Sequence, residues 1–120
     1  MYTTLVFSVL FVSGLSILVA KNRKKSKQMV EKINGGAQLL DVRTREEFES
    51  GALNKAMNVP LNEWKEEIGK LNPDQYYITY CSHGVRSVKA MQVLKKNGIE
   101  HVENGGSMKQ LQRKINRATI

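Results

Sequence analysis

The sequence predicts an α/β domain, a parallel β-sheet flanked by helices on both faces, preceded by one transmembrane helix. Three observations lead there. From about residue 28 onward, short apolar runs of strand length alternate with stretches of helical periodicity. The only cysteine, Cys81, follows one such run, Tyr76 to Tyr80, and precedes a helical stretch, Ser87 to Leu94. The 19 residues from Tyr2 to Ala20 carry no charge. The predicted organisation is a transmembrane helix over 1–20, a basic juxtamembrane linker over 21–27 and one α/β domain over 28–120.

The chain has 120 residues and 41% hydrophobic content, enough for one modest core. Its formal charge of +8 resembles a nucleic-acid signal until it is divided along the chain. Residues 1–27 hold five basic groups and no acidic ones, residues 28–108 hold ten basic and eleven acidic, and residues 109–120 hold four basic and none acidic. The domain body is therefore nearly neutral and the basicity belongs to the two ends. Without a nucleic-acid motif, binding to RNA or DNA is not expected.

A helix of 19 residues is about 28 Å long, close to the hydrocarbon thickness of a bilayer. Serines and threonines within it can bond back to helix carbonyls. A cleaved signal peptide and a buried helix are the competing readings. Against the first, no basic region precedes the stretch and Leu18-Val19-Ala20 is a poor cleavage site. Lys21, Arg23, Lys24, Lys25 and Lys27 follow at once, which places the domain on the cytoplasmic side of a single-pass anchor. The same cluster suits anionic headgroups.

Met29, Val30 and Ile33 have helical spacing, and Gly35-Gly36 should end that helix. Leu39-Leu40-Asp41-Val42 reads as a strand. Thr44 and Glu47 then form a capping box for a helix that ends at Gly51. Met57 to Pro60 is a second strand. Asn62 is predicted to cap a helix through Leu71, with Trp64, Ile68 and Leu71 on its buried face. Asn72-Pro73-Asp74 turns the chain into the strand ending at Cys81. The helix after Cys81 should stop near Asn97-Gly98, His101 to Glu103 gives a further strand, and Met108, Leu111, Ile115 and Ala118 share one face of the last helix.

Between strand and helix lies Tyr80-Cys81-Ser82-His83-Gly84-Val85-Arg86-Ser87. A lone cysteine is most simply a buried hydrophobe. Its setting favours a nucleophile instead. Amide groups of the loop and first helical turn lack intrahelical partners and converge on an anion held there. The helix dipole and Arg86 both favour thiolate over thiol, so the Cys81 pKa should fall below about 8.5. Gly84 permits the positive φ of a tight loop. His83 has two readings, a donor to an anionic substrate or a solvent-facing residue that sets access, and Lys89 is placed to attract an anion.

Several motifs together resemble the rhodanese family. They are Leu39 to Phe48, Gly51, Ala56 to Pro60, the loop Tyr80 to Ser87, and Gly105-Gly106, and the resemblance spans about residues 26–116. It implies a rhodanese-like sheet and sulfane-sulfur transfer. Cys81 would take sulfur from a small anionic donor such as thiosulfate, or from a persulfide, and pass it to a thiol or cyanide acceptor. The resemblance gives the substrate-binding role to Ser82, His83, Gly84, Val85, Arg86 and Ser87, and makes Asp41 and Arg43 structural ties. Four residues separate Cys81 from Arg86, the short loop of sulfurtransferases; related phosphatases and arsenate reductases carry five. Ala52 replaces the family's usual histidine, and the tryptophan that often follows the double glycine is absent.

The alternatives are a non-catalytic anion- or persulfide-binding module at the membrane, and a phosphatase or arsenate reductase. No cluster has metal-ligand spacing, so no metal is expected, and no cofactor. With one cysteine in the sequence, the thiol that discharges a persulfide must come from outside these 120 residues.

Overall fold

A computed structural model describes residues 2–118, with side chains from Phe11 onward. Helix α1 (Tyr2–Asn34) is continuous, so the stretch 21–27 is helical rather than a break between two elements. Gly36, at φ 108°, ends it. There the N–H of Ala37 donates to the Lys32 carbonyl at 2.9 Å and that of Gly36 to the Ile33 carbonyl at 3.1 Å. Only a residue comfortable at positive φ lets those carbonyls be satisfied. Among the described residues, no helix is long and apolar enough to cross a membrane. The side chains of 2–10, half of the predicted span, lie outside that description.

Four strands follow: β1 (Gln38–Asp41), β2 (Met57–Asn58), β3 (Tyr77–Cys81) and β4 (Val102–Ser107). They form one parallel sheet in the order β2-β1-β3-β4. Successive side chains of a strand face opposite ways, and two cores result. Leu40, Val42, Tyr77, Cys81 and Val102 pack on one face beneath Trp64, Leu71, Ala90 and Leu94. Leu39, Ile78 and Tyr80 pack on the other beneath Met29 and Leu111. The predicted parallel sheet, covered on both faces, is the observed one.

The capping box forms as read. The Thr44 hydroxyl accepts from Glu47 N–H at 3.2 Å and Glu47 Oε1 accepts from Thr44 N–H at 3.3 Å, opening α2 (Arg45–Glu49). The predicted helix over 62–71 does not form as one element. Instead a 3₁₀ turn (Leu61–Glu63), a single α turn α3 (Trp64–Glu67) and a second 3₁₀ turn (Ile68–Lys70) succeed one another, and Asn62 caps nothing. Pro60 fixes the entry and Gly69 weakens the exit, so i→i+3 bonds replace the longer ladder. Trp64 is nevertheless buried in the core as expected. Helix α4 (Val85–Lys96) covers one face, and α5 (Met108–Ala118) lies beside α1 on the other with Leu111 fully buried. Ala118, predicted on the same apolar face, is exposed.

Candidate active site

Strand β3 delivers Cys81 to the carboxyl edge of the sheet, and α4 starts four residues later. Gly84, at φ 91°, turns the chain between them. The turn folds the loop back over the sulfur. Gly84 N–H donates to Cys81 Sγ at 2.9 Å. Sγ also lies 3.6 Å from Ser87 Oγ, with the thiol donating, while the Ser87 hydroxyl donates to the Gly84 carbonyl at 2.9 Å. On ionisation that single hydroxyl proton can turn to the sulfur.

Burial alone would raise the Cys81 pKa, because the charged form is desolvated. The Ser87 hydroxyl and the backbone N–H groups of Ser87, Gly84 and His83 outweigh it, and the thiol is held below its ordinary value. The predicted depression is therefore present, and its immediate source is hydrogen bonding.

Arg86 sits beside the cup, within electrostatic reach of Cys81 but without a hydrogen bond to the sulfur. Its guanidinium donates twice to Glu47, at 2.7 and 3.0 Å, and to Ser82 Oγ at 3.3 Å. Ser82 Oγ donates to the same carboxylate at 2.9 Å. Glu47 is thereby pushed far below the usual carboxylate range, first by the Arg86 bond and then, against the opposing effect of burial, by Ser82 and the Thr44 amide. Sequence reasoning saw Glu47 only as half of a capping box. The missing signal was a pairing across 39 residues, which local spacing does not carry.

The remaining loop residues divide by how they face. His83 contributes its backbone N–H, and its side chain is exposed at the rim. Val85 is 78% exposed. Beside them a cleft of about 450 Å³ is lined by Val42, Thr44, Leu61, Asn62, Arg86 and Lys89. Of its two cations Arg86 is already paired with Glu47, and Lys89 is the one that favours an anion there.

Asp41 and Arg43 are structural ties. Arg43 donates to both Asp41 oxygens, at 2.9, 3.1 and 2.6 Å, and to the Gly51 carbonyl at 2.7 Å. Asn58 Nδ2 donates to the backbone carbonyls of Asp41 and Arg43, each at 3.0 Å. The pair is buried and does not reach the sulfur through any hydrogen bond. Among the described residues no group of three or more His, Cys, Asp or Glu side chains is arranged to hold a metal.

Comparison with known proteins bears on this geometry. A family model described as Rhodanese-like domain matches residues 24–113. The uncharacterized protein YqhL of Bacillus subtilis is 32% identical over 107 residues, covering 87% of this chain and 85% of its own. Thiosulfate sulfurtransferase PspE of Escherichia coli is 36% identical over 74 residues, covering 60% of this chain and 71% of its own. The crystal structure of a rhodanese-related protein from Thermoplasma volcanium superposes with a TM-score of 0.64 at 27% identity, over 74% of this chain and 88% of that one.

Proposed function

Because the chain belongs to the rhodanese-like domain family, we propose that it is a sulfurtransferase that carries a sulfane sulfur on Cys81. The observation that carries this reading is the convergence of the Gly84 amide and Ser87 hydroxyl on a cysteine sulfur whose pKa is depressed. The likeness to a thiosulfate sulfurtransferase supports thiosulfate as the donor class.

In the first half-reaction the Cys81 thiolate attacks the outer sulfur of thiosulfate. The S–S bond breaks, sulfite leaves with its electron pair, and Cys81 carries a persulfide anion. The loop amides that stabilise the thiolate are placed to stabilise this anion as well. In the second, an acceptor thiolate or cyanide attacks the terminal sulfur, and the Cys81 thiolate is the leaving group. The product is an acceptor persulfide or thiocyanate. Lys89 in the adjoining cleft supplies positive charge for the anionic donor, Arg86 there being already paired with Glu47.

The domain is held at a membrane by residues 2–20, on the cytoplasmic side. This is supported by the uncharged stretch, by the outward exposure of Phe11, Val12, Leu15, Ile17 and Leu18, and by the basic run that follows. Protease added to the cytoplasmic face should digest the domain, and digestion from the opposite face of sealed membranes would overturn the orientation.

The test of the chemistry is intact mass spectrometry of the full chain after incubation with thiosulfate, alongside Cys81→Ser. One added sulfur atom is expected on the native chain, removable by cyanide and absent from the variant. No added sulfur from thiosulfate or a persulfide donor would sink the sulfurtransferase reading and favour a binding module.

A further inference from the structure

We propose that the sheet edge carrying the Cys81 cup is the side the domain turns toward an anionic bilayer, seated there by basic residues that α1 and α5 bring together. This rests on the membrane anchor proposed above.

The direction of α1 carries the argument. Its last turn meets the amino ends of the strands: Lys32 donates to the Tyr76 hydroxyl at 2.8 Å and pairs with Glu103 at 3.2 Å. Met29 is buried against Leu39, Ile78 and Tyr80 of the sheet. Further back, Asn22, Lys25 and Met29 line a cleft with Asn104 and Gln110, nearer the carboxyl edge. Traced backward from Lys32, α1 therefore climbs the sheet and leaves it over the edge that holds Cys81.

Heights follow from the registers. Glu103 is paired with Ile78, three residues before Cys81 on β3, and the fourth residue between Glu103 and Ser107 on β4 is taken up by an irregularity in the pairing. At strand rise the cup is about 10 Å above Lys32. A helix covers the same height in about seven residues, which reaches roughly Lys25. The uncharged stretch ends at Ala20, about one and a half helical turns beyond the level of the cup. Because α1 has no break between, the cup keeps its side toward that stretch.

Charge identifies what faces it. Arg23 and Lys27 line a cleft of about 770 Å³ with Lys114 and Arg117. Lys25 and Arg113 line an adjoining one of about 500 Å³, again with Lys114 and Arg117. Among the described residues none of these six cations is in an ion pair, and Glu31 is the single acid in either lining. Val19, at the end of the uncharged stretch, lines the first cleft too. The first cleft runs along α1 from Val19 to Asn34, so the end of the uncharged stretch and the unpaired cations lie on one flank of the domain, the complement of acyl chains under anionic headgroups.

The experiment places a nitroxide on the full chain, in a Cys81→Ser background, at Val85→Cys on the cup rim or Asp74→Cys at the opposite edge. Both chains are reconstituted in phosphatidylcholine vesicles with or without phosphatidylglycerol and with a nickel chelate on a lipid headgroup. Relaxation of the nitroxide by nickel is expected to be at least threefold stronger at 85 than at 74 in the anionic vesicles. That contrast should fall at least twofold without phosphatidylglycerol, or when Arg113, Lys114 and Arg117 are changed to Gln. Equal relaxation at the two positions, or stronger relaxation at 74, would overturn the orientation; a contrast indifferent to lipid charge would overturn the basic seat. A separate alkaline-carbonate wash tests the anchor. A chain released by the wash removes the anchor reading and the orientation with it, whereas a retained chain with the label at 74 closer to nickel defeats the orientation alone.

Discussion

At the scale of single residues, the site is a thiol whose charge is managed by neutral donors. Hydrogen bonds to a charged group are worth about 1.5–3 kcal/mol, and about 1.4 kcal/mol corresponds to one pH unit. Ser87→Ala should therefore raise the midpoint of Cys81 alkylation by iodoacetamide by roughly one unit or more and slow the reaction at pH 7 about tenfold. An unchanged midpoint would show that the amides alone hold the thiolate. Glu47 acts on the other side of the loop. Its folded pKa lies far below the ordinary 4.5, so its contribution is fully present above that value and shrinks as pH falls beneath it. The side chains of the Glu47–Arg86 pair are about one-third exposed, so screening keeps its worth near 1 kcal/mol. Glu47→Gln should lower stability by about that amount at pH 7. In urea titrations the deficit should narrow as pH falls below about 4.5.

At the scale of elements, the cup depends on how closely β4 approaches β3. A Cβ on Gly105 would lie 2.8 Å from the Thr79 carbonyl oxygen and 2.9 Å from Ile78 Cγ2. The first neighbour is backbone and cannot yield without moving the strand. Gly105→Ala should cost about 1–3 kcal/mol, seen as a lower Tm, and should slow Cys81 alkylation because the loop rests on Gly106 and Ser107. Capping is coupled to the site through α2. Thr44→Ala should cost about 1 kcal/mol on its own. Combined with Glu47→Gln it should cost less than the sum, because Thr44 and Glu47 bond each other and Glu47 also holds the loop. Strict additivity in the double-mutant cycle would separate the cap from the Glu47–Arg86 clamp. Element by element, the sequence was legible where a signal is local. The capping box at Thr44, the glycine stop after Asn34, the strand into Cys81 and the inward face of the last helix at Met108, Leu111 and Ile115, though not at Ala118, each rest on residues within a few positions of one another. The stretch 61–70 was not legible, because Trp64, Ile68 and Leu71 fit the spacing of an α-helix while Pro60 and Gly69 favour shorter turns.

At the scale of the whole molecule, a nearly neutral body with two basic ends gains its meaning from where those ends meet. The sequence by itself determined the alternation of strands and helices, the cysteine at a strand-to-helix junction, the spacing from Cys81 to Arg86 and the uncharged segment ahead of the domain. These are periodicities and neighbour relations, fixed by backbone geometry within one or two turns. Only the tertiary structure decided that Arg86 bonds Glu47 rather than the sulfur. It alone brought the cations of α1 and α5 into adjoining clefts and sent α1 out over the edge of the sheet that holds Cys81. Those outcomes depend on the strand order β2-β1-β3-β4 and on which face each helix covers. They join residues dozens of positions apart, and such contacts are set by closing the chain around two cores, which no local spacing encodes.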